Sequence, residues 1–406
     1  MAAARWGEIA WTQDGGRGAD GPCARAYSSP VIFRDRSQVW LAFLGLVAGL
    51  GLAAGGCRKE TPAPDGQEPA AATKKSGPGG APAAEPPVPR VVVINRKCMG
   101  TLCEVKAFTH DEGLANRAAA RGLAEMDRIE ALMTSWTDTS DVARINQAAG
   151  LRPVPVHPDT LAVVKRGLWI GELSDGAFDI TVGVFRGLWK FDEDNDGTVP
   201  DPKAVRRKLR LVNYRDVLVD EAAGTVMLRR KGQKLNLEGM AKGYGVDAAV
   251  RAIRKAGLRD FIFHAGGDLY ASGSKAGVNW RVGIQDPRAD RGRIIFELPV
   301  FDQAFNTSGD YERFVMKDGV RYHHILDART GFPARGCRSV TLLCGDAFTA
   351  DVLDTAVFAV GAEAGMKLIE ELPAVEGVIV DADNRVHISS GLVDKLKKHG
   401  DPTPGP

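Results

Sequence analysis

The stretch NLEGMAKGYGVD, residues 236–247, sets one lysine among glycines, directly after an apolar run and directly before a segment of helical spacing. Lysine among glycines is the composition of a phosphate-cradling loop. The spacing, however, is neither the GxxxxGK[ST] of a P-loop nor the GxGxxG of a dinucleotide fold, so the stretch announces neither nucleotide-binding architecture. Tyr244, Val246 and Val250 instead begin an apolar stripe that predicts a core-facing helix over residues 240–256.

Outward from this helix, strands are predicted at LRLV (209–212), GTVMLRR (224–230), FIFHAGG (261–267), WRVGIQ (280–285), RIIFELPV (293–300) and SVTLLCG (339–345). Residues 90–108 alternate around turn residues like two strands. Leu123, Met126, Ile129 and Met133 then recur at helical spacing behind Asp111 as a cap, and further helices fit residues 159–173 and 350–372. Helices and strands interleave, but the consecutive strands after Asp260 read as antiparallel. The expectation is a single α+β domain over residues 90–398, mostly antiparallel sheet with packed helices.

The first 89 residues do not read as part of that domain. VWLAFLGLVAGLGLAAGG (39–56) runs without a charge into Cys57, behind a basic RDR at 34–36. AGGC (54–57) is similar to a bacterial lipobox, with Ala54 where leucine is usual, so residues 1–57 are expected to be an export signal ending in a lipidated Cys57. The alternative is an uncleaved membrane span. Either places the rest beyond the cytoplasmic membrane, facing the periplasm. Because the apolar run starts so late, the true start codon is hypothesised to lie downstream of Met1; detection of a peptide from residues 1–30 by mass spectrometry would exclude this. Residues 58–89, rich in Pro, Ala and Gly, have too little apolar surface to offset ordering entropy and are expected to form an extended tether.

With 44% hydrophobic and 26% charged residues the composition is globular, and a net charge of +2 gives no electrostatic case for nucleic acid. Of six cysteines, Cys98, Cys103, Cys337 and Cys344 fall in the folded part, where the compartment permits disulfides but the sequence does not dictate pairing.

Three stretches could carry chemistry. DEDNDG (192–197) alternates oxygen side chains as calcium loops do, but Lys203 stands where an EF-hand needs its bidentate glutamate, so an acidic surface loop is the better reading. In FTADVLDTAVFAVG (348–361), Asp351, Asp354 and Thr355 stand at i, i+3 and i+4, which groups two carboxylates and a hydroxyl on one helix face. Such hard donors suit Mg²⁺, and the helix N-terminus favours a phosphate nearby; alternatively the acids only complement the helix dipole. YHHILDARTGFPA (322–334) supplies adjacent histidines without a nucleophile elbow or zinc spacing, either of which would have set another chemistry.

Taken together these segments resemble the FAD:protein FMN transferase, or ApbE, family. The likeness runs in order through MGTLCEV (99–105), LMTSWTDTSDVARIN (132–146), SDGAFDITVGVF (174–185), LNLEGMAKGYGVD (235–247), FHAGGDLYASG (263–273), WRVGIQDP (280–287), NTSGDY (306–311), HHILDARTG (323–331) and TADVLDTAVF (349–358). The resemblance implies an enzyme that cleaves FAD and attaches FMN through a phosphoester to a Thr or Ser of a membrane redox subunit bearing a Ser/Thr-Gly-Ala-Ser/Thr motif, releasing AMP. By the same resemblance Met99, Trp136, Ala177, Phe178, Asp179, Asn236, Lys242 and Ile325 would contact FAD. Gly239, through its carbonyl, with Asp351, Asp354 and Thr355 would hold Mg²⁺, and His324 would deprotonate the acceptor. Asp268 is left as either a turn acid or a cofactor contact. Glu238, where relatives often have a small residue, and Asn236, where Asp is commoner, depart from the family pattern. The same site with water as acceptor would make an FAD pyrophosphatase; without catalysis it would be a lipid-anchored flavin carrier.

Overall fold

The computed structural model describes residues 88–191 and 195–405. The export signal, Cys57 and most of the tether lie outside them, as do Asp192, Glu193 and Asp194 of the acidic loop. Among the described residues no helix is long and apolar enough to cross a membrane.

Eight strands form the central sheet: Arg90–Cys98, Thr101–Thr109, Phe261–Ala265, Asp268–Ser272, Gln303–Gly309, Cys337–Cys344, Glu376–Asp381 and Val386–Ile388. Each is antiparallel to the next, so spatial order repeats chain order and the helices are insertions into a meander. The helices are α1 (Glu112–Met133), α2 (Asp141–Gln147), α3 (Pro158–Leu173), α4 (Pro202–Leu209), α5 (Glu238–Lys255), α6 (Ala347–Val360) and α7 (Ala362–Glu371). Asp111 caps α1 as expected, its carboxylate accepting from the Leu114 amide at 2.8 Å.

The two faces of the sheet are covered differently, and side-chain alternation decides which residue goes where. Phe261, Phe263, Val340, Leu342 and Ile379 join the helix-side core with Met126 and Ile129 of α1, Val246, Val250 and Ile253 of α5, and Val357 and Phe358 of α6. Their neighbours Ile262, Leu343, Val378 and Val380 pack instead with Trp280, Val282, Ile284, Phe296 and Leu298 of a second sheet. That sheet is built from Ser274–Lys275, Val278–Gln285, Ile294–Val300 and Lys397–Lys398.

Helices α1, α5 and α6 lie close because glycine stands at the crossings. A Cβ on Gly122 of α1 would fall 2.7 Å from Ile253 of α5, and one on Gly243 of α5 would fall 2.5 Å from the Ala347 carbonyl of α6.

Two elements differ from the sequence reading. Residues 209–212 are not a strand: α4 runs to Leu209, and the Leu211 and Val212 amides turn back onto Lys208 and Leu209. The helix predicted over 350–372 is two, because Gly361 has φ 94°, a conformation a helix interior cannot hold.

Cys98 and Cys103 form a disulfide across the hairpin that turns at Met99 and Gly100, while Cys337 and Cys344 are buried free thiols. Closing so short a loop removes little unfolded-state entropy, so Cys98→Ser should cost only about 2 kcal/mol. Urea unfolding of the two proteins under non-reducing conditions checks this; a loss twice as large would mean the bridge does more than close the hairpin.

Candidate functional site

The site is assembled where α5 crosses α6. Asn236 stands two residues before α5, its side-chain oxygen accepting from the Glu238 amide at 2.8 Å, and its own amide donates to the Ile180 carbonyl. Gly239 follows in the first turn, exposed and with nothing within 4 Å of where a Cβ would be. One turn on, the Lys242 ammonium donates to Asp268 at 2.6 Å and lies 3.7 Å from Asp351. Asp351 in turn accepts from the Gly243 amide at 2.7 Å, which ties α6 to the backbone of α5. On the next turn of α6, the Ser308 hydroxyl donates to Asp354 at 3.0 Å and lies 3.2 Å from the Thr355 hydroxyl.

Electrostatics of this cluster are lopsided. Asp268, Asp351 and Asp354 are buried, and the Lys242 ammonium pairs with the first two. Burial and the Asp268 charge push Asp351 up to about 7. Burial and the charges of Asp351 and Asp268 hold Asp354 well above the usual carboxylate range. Burial works against the Lys242 charge, but Asp268 and Asp351 outweigh it and keep the ammonium protonated. Asp351 and Asp354 are therefore buried beside a third carboxylate, with the Lys242 ammonium nearer Asp268 than Asp351.

The N-terminus of α6 is filled from within. The Ala347 and Phe348 amides donate to the two oxygens of Asp247 at 2.9 and 3.0 Å, and Asp346 caps the Thr349 amide. The helix-end phosphate site expected from the sequence is therefore taken by the protein's own carboxylates. Burial raises Asp247 to about 6.

His324 follows the strand Val320–His323. It is half-buried, its amide donates to the Arg313 carbonyl, and its Nδ1 is shielded from solvent with no hydrogen-bond partner among the described residues. Burial, followed by the charges of Arg313 and His323, pushes its imidazole well below the ordinary value; the Lys242 ammonium adds to this, so the two sites feel each other. The neighbouring His323 is a core residue: its Nε2 is 2.7 Å from the Ala334 carbonyl and its ring packs edge-on against Phe358. Ile325 is buried and its carbonyl accepts from Ala334.

The other predicted contacts gather around α5. Met99 stands at φ 46° in the first hairpin, its amide donating to Glu130, its sulfur facing Gly245. Trp136 is exposed, with the Arg186 guanidinium 3.6 Å above its ring. Arg186 also donates to Ser135 at 2.7 Å, and Ser135 to Glu238 at 2.6 Å, so the departure at Glu238 fastens the Trp136 loop to the start of α5. Ala177 is buried and accepts from the Ala328 amide of the histidine loop; Phe178 is half-buried behind it. Asp179 points inward: its oxygens accept from the Thr181 amide and hydroxyl and from the Tyr214 amide at 2.6–2.7 Å. Its carboxylate is therefore committed to the protein's own backbone and Thr181.

In the acidic loop the Asp196 carboxylate is held by Lys190 at 2.5 Å and by Thr198. Among the described residues no three His, Cys, Asp or Glu side chains are gathered as a metal cluster. Sequence reasoning missed Asn306, Ser308 and Asp247. The signal for the first two was their i, i+2 spacing on a strand, which puts both on the face that meets α5 and α6.

A model of the ApbE family matches residues 99–379. The FAD:protein FMN transferase of Treponema pallidum is 34% identical over 315 residues, covering 74% of this chain and 87% of that protein. One from Klebsiella pneumoniae is 30% identical over 302 residues, covering 74% and 92%. The crystal structure of the ApbE protein of Thermotoga maritima superposes with a TM-score of 0.69 at 32% identity, over 76% of this chain and all of that one; the flavin transferase ApbE of Vibrio cholerae gives 0.67 at 28%, over the same shares.

Proposed function

This chain belongs to the ApbE family and is an FAD:protein FMN transferase, and we propose that the α5–α6 crossing with His324 is where it breaks the FAD pyrophosphate. A bond forms between an acceptor Thr or Ser oxygen and the FMN phosphorus, and AMP departs with the electron pair of the broken P–O bond. The observation that carries this reading is the buried Asp351–Asp354 pair, with the Lys242 ammonium 3.7 Å from Asp351 and the Ser308 hydroxyl on Asp354, together with a histidine whose shielded Nδ1 has no partner among the described residues.

The residues fit a divalent cation: Asp351, Asp354, the Thr355 hydroxyl and the Gly239 carbonyl are all hard oxygen donors. Mg²⁺ held there would draw charge off the bridging oxygens of the pyrophosphate. Lys242 meets the phosphates, and Met99, Trp136, Phe178 and Ile325, with the backbone at Ala177 and Asp179, bound the flavin. Neutral His324 accepts the proton of the acceptor hydroxyl as it attacks. Asp351→Ala should raise the Mg²⁺ concentration for half-maximal transfer at least about tenfold; an unchanged titration curve would remove Asp351 from the metal site.

Purified protein incubated with FAD, Mg²⁺ and a candidate acceptor domain tests the reaction. The mass of FMN added to the acceptor, with AMP released, is the expected result. Free FMN and AMP with an unmodified acceptor would make the protein a hydrolase, and bound FAD without AMP would make it a carrier.

The apolar run ending in Cys57 supports a lipid anchor in the cytoplasmic membrane with the domain in the periplasm, close to an acceptor redox subunit carrying the Ser/Thr-Gly-Ala-Ser/Thr motif. Lipid labelling that persists in Cys57→Ser would refute the anchor. The acceptor is the covalently flavinylated protein that disappears when the gene is deleted.

A further inference from the structure

The site holds more acid than the proposed metal needs, and Asp268 is the surplus. It begins the strand Asp268–Ser272, just after a two-residue turn in which Gly266 and Gly267 have φ 55° and 104°. Both positive angles match the hairpin turn that glycine permits, and Gly266 has no room for a side chain, because Thr101 lies 2.5 Å from where its Cβ would be. The next strand places Asn306 directly opposite Asp268. Asn306 is fully buried and its amide nitrogen lies 3.1 Å from one Asp268 oxygen and 3.3 Å from the Ala347 carbonyl that opens α6. The other oxygen of Asp268 is thereby aimed at Lys242, which it holds at 2.6 Å, while Asp351 is 3.7 Å from the same ammonium.

The ammonium has three donors and lies within ion-pair range of both carboxylates, but it is nearer Asp268. Resting on Asp351, it would put a fixed positive charge where a divalent cation has to bind. We propose that Asp268 is a positioning residue that holds the Lys242 ammonium off Asp351, so that the Asp351–Asp354–Thr355 face of α6 stays open to a divalent cation. Asn306 serves the same end by fixing the Asp268 carboxylate. The inference rests on the metal reading of the site given above and adds a residue that touches neither the metal nor the reacting phosphorus.

Mn²⁺ titrated into the full protein with FAD present and no acceptor, free Mn²⁺ being followed by electron paramagnetic resonance, tests this without measuring turnover. Wild type binds Mn²⁺. Asp268→Asn weakens binding at least about tenfold, because Lys242 moves onto Asp351. In a Lys242→Gln background, where there is no ammonium to hold back, Asp268→Asn changes binding less than about twofold. If the same loss appears in both backgrounds, Asp268 acts only as one more negative charge and the inference is overturned. If wild type binds no Mn²⁺, the metal reading itself fails, which is a different result. Thermal melting of each variant shows whether it folds; should asparagine not be tolerated, Asp268→Ser in the two backgrounds carries the same comparison.

Discussion

His324→Ala is expected to lower FMN transfer by about 10²–10⁴-fold while FAD remains bound. The ring is half-buried with its Nδ1 shielded and unpartnered among the described residues, and desolvation with the nearby Arg313 charge favours the neutral form. A base in that condition is available across the whole neutral range. The sign of the pH dependence follows: the active form is the unprotonated ring, its value is depressed, and so the His324 limb of kcat/KM falls only as pH drops well below 6.5. Wild type should show that acid limb and His324→Ala should lack it. Equal FAD affinity in the two proteins, measured by flavin fluorescence, separates loss of the base from loss of the pocket. Transfer within twofold of wild type would end the assignment.

The second large effect is expected from Gly243→Val. A side chain there would meet the Ala347 carbonyl at 2.5 Å and Asp351 Cβ at 2.6 Å, neither of which belongs to a flexible side-chain end. Forcing α5 and α6 apart should cost about 1–3 kcal/mol or more, as overpacking does. It would also break the Gly243 amide bond to Asp351, so transfer should fall by more than stability alone explains. Unfolding in urea together with transfer measured at a temperature where the variant is folded distinguishes the two losses. A folded variant with normal transfer would show that the helix spacing is not what sets the carboxylates.

What could be read in the sequence is what has a local period. The i, i+3, i+4 set of Asp351, Asp354 and Thr355 is on one α6 face, and the stripe from Tyr244 through Val250 belongs to α5. Alternation placed the paired strands after Asp260, and glycine turns marked their ends. What could not be read depends on partners far along the chain. The ion pair of Lys242 could not be read because nothing near it reveals that Asp268, 26 positions on, holds its ammonium. The end of α6 looked open to phosphate because the carboxylate that fills it, Asp247, comes from 100 positions earlier. Gly361 divides a continuous helical pattern because its φ, not its neighbours' hydropathy, decides the break.

The Asp247 carboxylate has a meaning beyond capping. Residues 243 and 247 stand one turn apart on α5 and bind α6 at residues one turn apart, 351 and 347. Two fasteners at matching intervals lock the helices in register, so neither can slide without breaking both. The placement of Lys242 against Asp351 is then set as a unit, closed to gradual adjustment. On the proposed function, a change in which protein is modified is then expected from the loops carrying Trp136, Phe178 and His324, none of which takes part in those two fasteners.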